Sequence, residues 1–111
     1  MHDLKWTASE KKIARRVFDE ALAIELAEVM AEFKRRAVSV SVPEDMWEIR
    51  EYLFRKEREL NEKYDFRSSQ LPLVFGRLVR EGRVLEGQLH GLGEEKLSYV
   101  RRIASLLTQG H

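Results

Sequence analysis

The chain has 111 residues, of which 43% are hydrophobic and 35% charged, and twenty Lys/Arg against nineteen Asp/Glu leave a net charge of +1. That size suits one domain with one modest core, and the apolar share is too high for wholesale disorder. The balanced charge lacks the basic excess that phosphate contacts demand of a nucleic-acid binder. The absence of cysteine excludes disulfides and thiolate metal sites.

No apolar run approaches the roughly 20 residues that span a bilayer. The opening Met1-His2-Asp3-Leu4-Lys5-Trp6 has no signal-peptide apolar core. A cytoplasmic location is the expectation.

In chain order, the first helix is predicted to begin at Thr7, because Thr7-Ala8-Ser9-Glu10 reads as a capping box. No breaker follows until about Arg36. Ile13, Val17, Ala21, Ile24 and Glu28 form one stripe, and Phe18, Leu22, Leu26, Val29 and Phe33 a second. Together they make an apolar band wider than one core-facing seam. About 30 helical residues span roughly 45 Å. A compact globule of this length is about 35 Å across. The helix would overhang a monomer and expose its band, which predicts a homodimer.

Ala37 to Val42 alternates like a strand and is read as an extended connector. Ser41 is the expected cap of a second helix, with Glu44 closing the box and Pro43 in the first turn. This helix is predicted to reach about Tyr64, with Met46, Ile49, Leu53 and Leu60 on its apolar face. Glu51/Arg55 and Glu59/Lys63 are candidate i,i+4 ion pairs on the outer face. Tyr64 to Gln70 reads as a joint, with Ser68-Ser69 as caps and Pro72 blocking a continuous helix. A third helix uses Leu71, Val74, Phe75, Leu78 and Val79 and stops at Gly82. A short helical piece is expected around Val84 to Leu89, then a break at Gly91-Leu92-Gly93. The last helix begins at Glu94-Glu95 and is predicted to bury Leu97, Val100, Ile103 and Leu107.

The predicted fold class is all-α, with four to five helices. A single helical domain over residues 1–111 is expected, divided into long dimerisation helices (7–64) and a C-terminal helical head (65–108).

Candidate chemistry is sparse. His2, His90 and His111 are scattered, without metal-ligand spacing. Glu57/Glu59 and Glu94/Glu95 sit in charged helical runs, where nothing would desolvate one carboxylate to make it an acid. Gly91-Leu92-Gly93 lacks the preceding strand and third glycine of a phosphate loop. No enzyme activity, cofactor or metal is expected. Arg77, Arg80 and Arg83 near the exit of the third helix offer one alternative, a winged-helix-like DNA-binding regulator. The lack of a following β-hairpin wing weighs against it.

One surface does stand out. Trp47, Arg50, Glu51 and Phe54 fall at i, i+3, i+4 and i+7 of the second helix. Aromatic residues and arginine are the types that dominate interface energies. Packing of Trp47 and Phe54 under the first helix, or across a dimer, explains the pattern equally well.

Asp45-Met46-Trp47-Glu48-Ile49-Arg50-Glu51-Tyr52-Leu53, Lys56, and Glu59-Leu60-Asn61-Glu62-Lys63-Tyr64-Asp65-Phe66-Arg67 resemble the central helix of the fluorescence recovery protein family. The likeness extends through Val74-Phe75-Gly76-Arg77-Leu78, Arg80-Glu81-Gly82 and Leu89-His90-Gly91-Leu92-Gly93-Glu94-Glu95-Lys96, and covers roughly Trp6 to Leu106. The resemblance implies an extended antiparallel helical homodimer with a C-terminal helical head. It also implies a non-enzymatic regulator that binds the C-terminal domain of the photoactivated orange carotenoid protein, speeds its return to the resting form and helps detach it from the phycobilisome. Its implied partner-binding residues are Trp47, Arg50, Glu51, Phe54 and Glu57. Trp47 matches the family's functional tryptophan, and Glu51 stands for an acidic residue that is usually Asp. Arg50 replaces a frequent His, Phe54 a small polar residue, and Glu57 an Arg. The implied partner is therefore such a photoprotein, or another protein suited to this altered chemistry.

Overall fold

The computed structural model describes residues 5–109, with side chains through Leu107; His2 and His111 lie outside the described residues. Four α-helices follow in order: α1 (Ala8–Val38), α2 (Pro43–Lys63), α3 (Leu71–Arg80) and α4 (Glu94–Gln109), with a 3₁₀ turn at Glu86–Leu89 between the last two. The all-α expectation holds. Among the described residues there is no named strand, so the hairpin wing of the DNA-binding alternative is absent from them.

The helix ends follow local chemistry. At α1 the Thr7 amide donates to Glu10 Oε1 at 2.9 Å, and the Glu10 amide donates to Thr7 Oγ1 at 3.1 Å, as the capping box predicts. Its far end corrects the sequence reading: Ala37 and Val38 are helical, and only residues 39–42 connect to α2. The alternating valines are too few to find a pairing strand, so the helix simply propagates through them. The α2 cap is also shifted by one. Val42, not Ser41, is the N-cap, and Asp45, not Glu44, reaches back to the amides of Ser41 (2.9 Å) and Val42 (3.2 Å). At α3 the N-cap is Gln70, without a side-chain cap bond, so Ser68 and Ser69 do not serve there. That helix ends in a Schellman motif. Gly82 adopts φ 76°, its amide donates to the Val79 carbonyl, and the Arg83 amide donates to that of Leu78.

Two compact units are present. The first joins residues up to Ala21 with those from Asp65 onward. Its core holds Val17 and Phe18 of α1, Leu71, Phe75 and Leu78 of α3, Leu89, and Val100 of α4. A Cβ at Gly76 would stand 2.5 Å from Ile103 Cγ2, so the missing side chain sets how closely α3 meets α4. Of the residues expected to be buried on α4, Val100 is, while Leu97, Ile103 and Leu107 are half-buried. Phe18 and Phe66 meet edge to face with centroids 5.0 Å apart, and the Arg15 guanidinium covers the Phe66 ring at 3.5 Å.

The same unit contains a polar latch. Glu10 Oε2 accepts the Gly93 amide at 2.7 Å, and Glu10 Oε1 lies 3.2 Å from Lys96 Nζ. Gly91 adopts φ 105°, and a Cβ there would stand 2.5 Å from Ile13 Cδ1. The loop before α4 can reach the first turns of α1 only as glycine.

The second unit, Leu22–Tyr64, contains the remainder of α1, the connector and α2. It buries Tyr52, Leu60, Lys63 and Tyr64. Much of the predicted apolar band stays in water here: Ile24 is 57% exposed and Met30 56%, with Leu26 and Phe33 also exposed. On α2, Met46 is exposed while Ile49 and Leu53 are half-buried, so the expected apolar face is only partly covered.

Candidate functional site

The candidate site lies within the second unit. Its floor is made by Leu22, Leu26 and Val29 of α1 with Met46, Ile49, Leu53 and Leu60 of α2, which line an open groove of 780 Å³. Apolar residues of both helices line it, and a pair of helices can cover only part of two broad apolar bands. Arg50, Phe54 and Glu57 line the groove together with Lys56, Asn61 and Tyr64.

The structure thus divides the five predicted residues. Arg50, Phe54 and Glu57 share the groove, whereas Trp47 and Glu51 lie on the adjoining surface of α2 outside its lining. Trp47 is 52% exposed and Phe54 56%. The Arg50 guanidinium stands 5.2 Å from the Trp47 ring centroid and 3.7 Å from Glu51 Oε1. These contacts join Trp47, Arg50 and Glu51 into one cluster. Arg50 and Glu51 are both largely exposed, so their ion pair contributes little to stability and leaves both charges available.

The ion pairs of α2 differ from the predicted set. Glu59 pairs with Arg55 (3.7 Å) and Lys56 (3.4 Å), and Glu51 with Arg50, not Arg55. Lys63 turns inward instead of pairing with Glu59. Its Nζ donates to Glu25 Oε1 at 2.7 Å, and the Tyr64 hydroxyl donates to the same oxygen at 2.6 Å. Glu25 lies on neither of the two apolar stripes read from the sequence, so the spacing gave no sign that Lys63 has to come inside. Near the connector, Arg36 lies 4.0 Å from the Tyr52 ring centroid and donates to Glu32 at 2.6 Å. Hydrogen bonds from Arg35 and Arg36 lower the Glu32 carboxyl to a pKa of about 2.

Pairing with charges of opposite sign suits these groups to fixing helices, not to proton transfer. His90 is exposed at the end of the 3₁₀ turn in the first unit. Among the described residues, no group of three His, Cys, Asp or Glu side chains is arranged to hold a metal ion. Nor is any helix there long and apolar enough to cross a membrane.

Known proteins share this fold. Residues 6–104 match the model of the family described as photoprotection regulator fluorescence recovery protein. The chain is 31% identical over 101 residues to the fluorescence recovery protein of Synechocystis sp. (strain PCC 6803), across 91% of this chain and 93% of that protein. The solved structure of the Fremyella diplosiphon fluorescence recovery protein matches with a TM-score of 0.84 at 29% identity, over 91% of this chain and 99% of that one. The Synechocystis structure gives the same TM-score at 30% identity and the same coverage. With the family model, the identity and the fold in agreement over nearly the whole chain, this protein belongs to the fluorescence recovery protein family of photoprotection regulators.

Proposed function

We propose that this protein is a cytoplasmic homodimer that binds the C-terminal domain of a photoactivated orange carotenoid protein and speeds its return to the resting form. It acts by binding alone, without bond chemistry or a cofactor. Acceleration of a conformational return requires tighter binding to a species along the return path than to the activated state. The observation that carries this reading is the exposure of Trp47 and Phe54 on α2, with Arg50 and Glu51 beside Trp47. A tryptophan held half in water next to an arginine is the kind of residue that anchors a protein interface. Trp47, Arg50, Glu51, Phe54 and Glu57 are the proposed partner-binding residues. The exposed Leu26, Met30 and Phe33, which share one face of α1, support dimerisation, because an apolar patch is costly to leave in water.

The test is a pull-down against the activated C-terminal domain, together with the rate of recovery of the resting form in the dark. Binding at micromolar concentration and faster recovery are expected. Absence of binding at tens of micromolar would remove the photoprotein as partner.

A further inference from the structure

We propose that Arg36 is a positioning residue for the partner face of α2: by stacking on Tyr52 it sets the roll of α2, and with it the direction in which Trp47 and Phe54 point. This assignment rests on the partner reading above and adds what aims that face. Successive residues of a helix stand about 100° apart around its axis, so Arg50 and Phe54, two positions either side of Tyr52, lie about 160° from it and Trp47 about 140°. The surface offered to the partner is the back of the face that Tyr52 buries.

Tyr52 is 5% exposed, and among the described residues of α2 it is the only one buried before Leu60. Met46 is exposed there, and Ile49 and Leu53 are half-buried. The half of α2 that carries Trp47, Arg50 and Glu51 thus has one firm anchor against α1. The Arg36 guanidinium, from the last turn of α1, lies 4.0 Å from the Tyr52 ring centroid. Its Nε donates to Glu32 Oε2 at 2.6 Å, and this charge-assisted bond restricts the rotamers open to Arg36. Arg55 stands 5.8 Å from the same ring. It belongs to α2, turns with that helix and cannot hold its roll. Arg36 comes from the other helix and can. On a helix about 11 Å across, a roll of about 30° swings the outer end of a side chain by about 3 Å. Such a displacement takes an aromatic anchor out of a fitted pocket.

The test uses the whole chain with Trp6→Phe, which leaves Trp47 as the single tryptophan. Two quantities are measured: the affinity for the photoactivated C-terminal domain, and the polarisation of Trp47 emission in the free protein. Arg36→Met keeps the aliphatic stem and loses the cation. It is expected to weaken binding about fivefold and to lower the polarisation. Arg36→Lys keeps a cation at the ring without the stacking plane and is expected to weaken binding about twofold. In a Trp47→Ala background, where only affinity is read, Arg36→Met is expected to cost less than about 1.5-fold more, because the effect runs through Trp47. Wild-type affinity and polarisation in Arg36→Met would overturn the role. Weaker binding with unchanged polarisation would also overturn it and make Arg36 a direct partner contact. An equal loss in both backgrounds would overturn it as a general weakening of the fold. Circular dichroism reports helix content, and if Arg36→Met loses helix, the polarisation and affinity of Arg36→Lys decide in the same way. A wild-type chain that binds no photoprotein would remove the partner reading instead, and the polarisation of Trp47 would still decide whether Arg36 aims it.

Discussion

The carboxylate of Glu10, in the first turn of α1, lies 3.2 Å from the ammonium of Lys96 in the first turn of α4, and each side chain is only 9% exposed. Eighty-six positions of sequence separate the two residues (96 − 10). The same carboxylate accepts the amides of Thr7 and Gly93, so one side chain caps α1 and anchors the loop that opens α4. Burial raises the Glu10 pKa. The amides of Thr7 and Gly93 and the Lys96 ammonium outweigh that and bring it down to about 2 from the ordinary 4.5.

This depression gives a pH dependence with a defined sign. The folded state holds the Glu10 proton less tightly than the unfolded chain, so the stabilisation is fully present above about pH 5. It is lost as pH falls from about 5 to about 2. Its size is on the order of 3 kcal/mol. Denaturant midpoints measured by circular dichroism across this range are expected to fall with acid. In Glu10→Gln that fall flattens, and the variant is less stable at pH 7 by about 3 kcal/mol because Lys96 is left buried without its counter-charge.

Glycine substitutions discriminate packing from propensity. Replacing a helical glycine by alanine usually stabilises by about 0.5–1 kcal/mol. At Gly76 the sign reverses, because the added methyl would meet Ile103 Cγ2 at 2.5 Å. Gly76→Ala is expected to destabilise by about 1–3 kcal/mol through overpacking. Gly87→Ala, with nothing within 4 Å of the added methyl, is expected to stay within about 0.5 kcal/mol. Thermal unfolding of both variants checks the contrast.

Lys63 answers Glu25 from within the second unit at 2.7 Å, with both side chains largely buried. Lys63→Ala removes the cation from a buried carboxylate and is expected to destabilise by about 3–5 kcal/mol. The paired replacement Glu25→Met/Lys63→Met is expected to recover most of that loss. A double variant no more stable than Lys63→Ala would contradict this account.

Trp47 separates binding from folding. At 52% exposure its truncation removes little burial, so Trp47→Ala is expected to shift stability by less than about 1 kcal/mol. Its effect on photoprotein affinity is expected to be tenfold or more, the range of a central aromatic anchor. Titration calorimetry for binding and chemical denaturation for stability, on the same preparation, check the two halves.

Much of this was legible in the chain itself. The capping box at Thr7 and Glu10 marked the start of α1, Gly82 marked the end of α3, and the width of the apolar band indicated that part of it faces outward. Local rules were enough because hydrogen-bond geometry within a turn involves only neighbours. They failed at the start of α2, where the residue type with the best capping side chain did not set the register. Ser41 was the expected cap, yet the helix starts one residue later, after Val42, and Asp45 rather than Glu44 lies at the position that reaches back.

The latch at Glu10 was half visible. Its role as a cap follows from a four-residue spacing; its contact with Lys96 and Gly93 does not, because no periodicity links residues more than eighty positions apart. Lys63 was read as an outer-face partner of Glu59, and only packing of α2 against α1 turned it toward Glu25. Four of the five candidate residues on α2 were placed on one helix by spacing, and Glu57 was added by the family resemblance. Which of them share a groove was decided by α1, since a groove needs a second wall. The sequence by itself determined the helices, the cap of α1 and the residue types offered at the surface, all consequences of short-range sterics and hydrogen bonding. Only the tertiary structure decided which charges went inside and which of Trp47, Arg50, Glu51, Phe54 and Glu57 border the groove, because burial and desolvation depend on what the rest of the chain brings alongside.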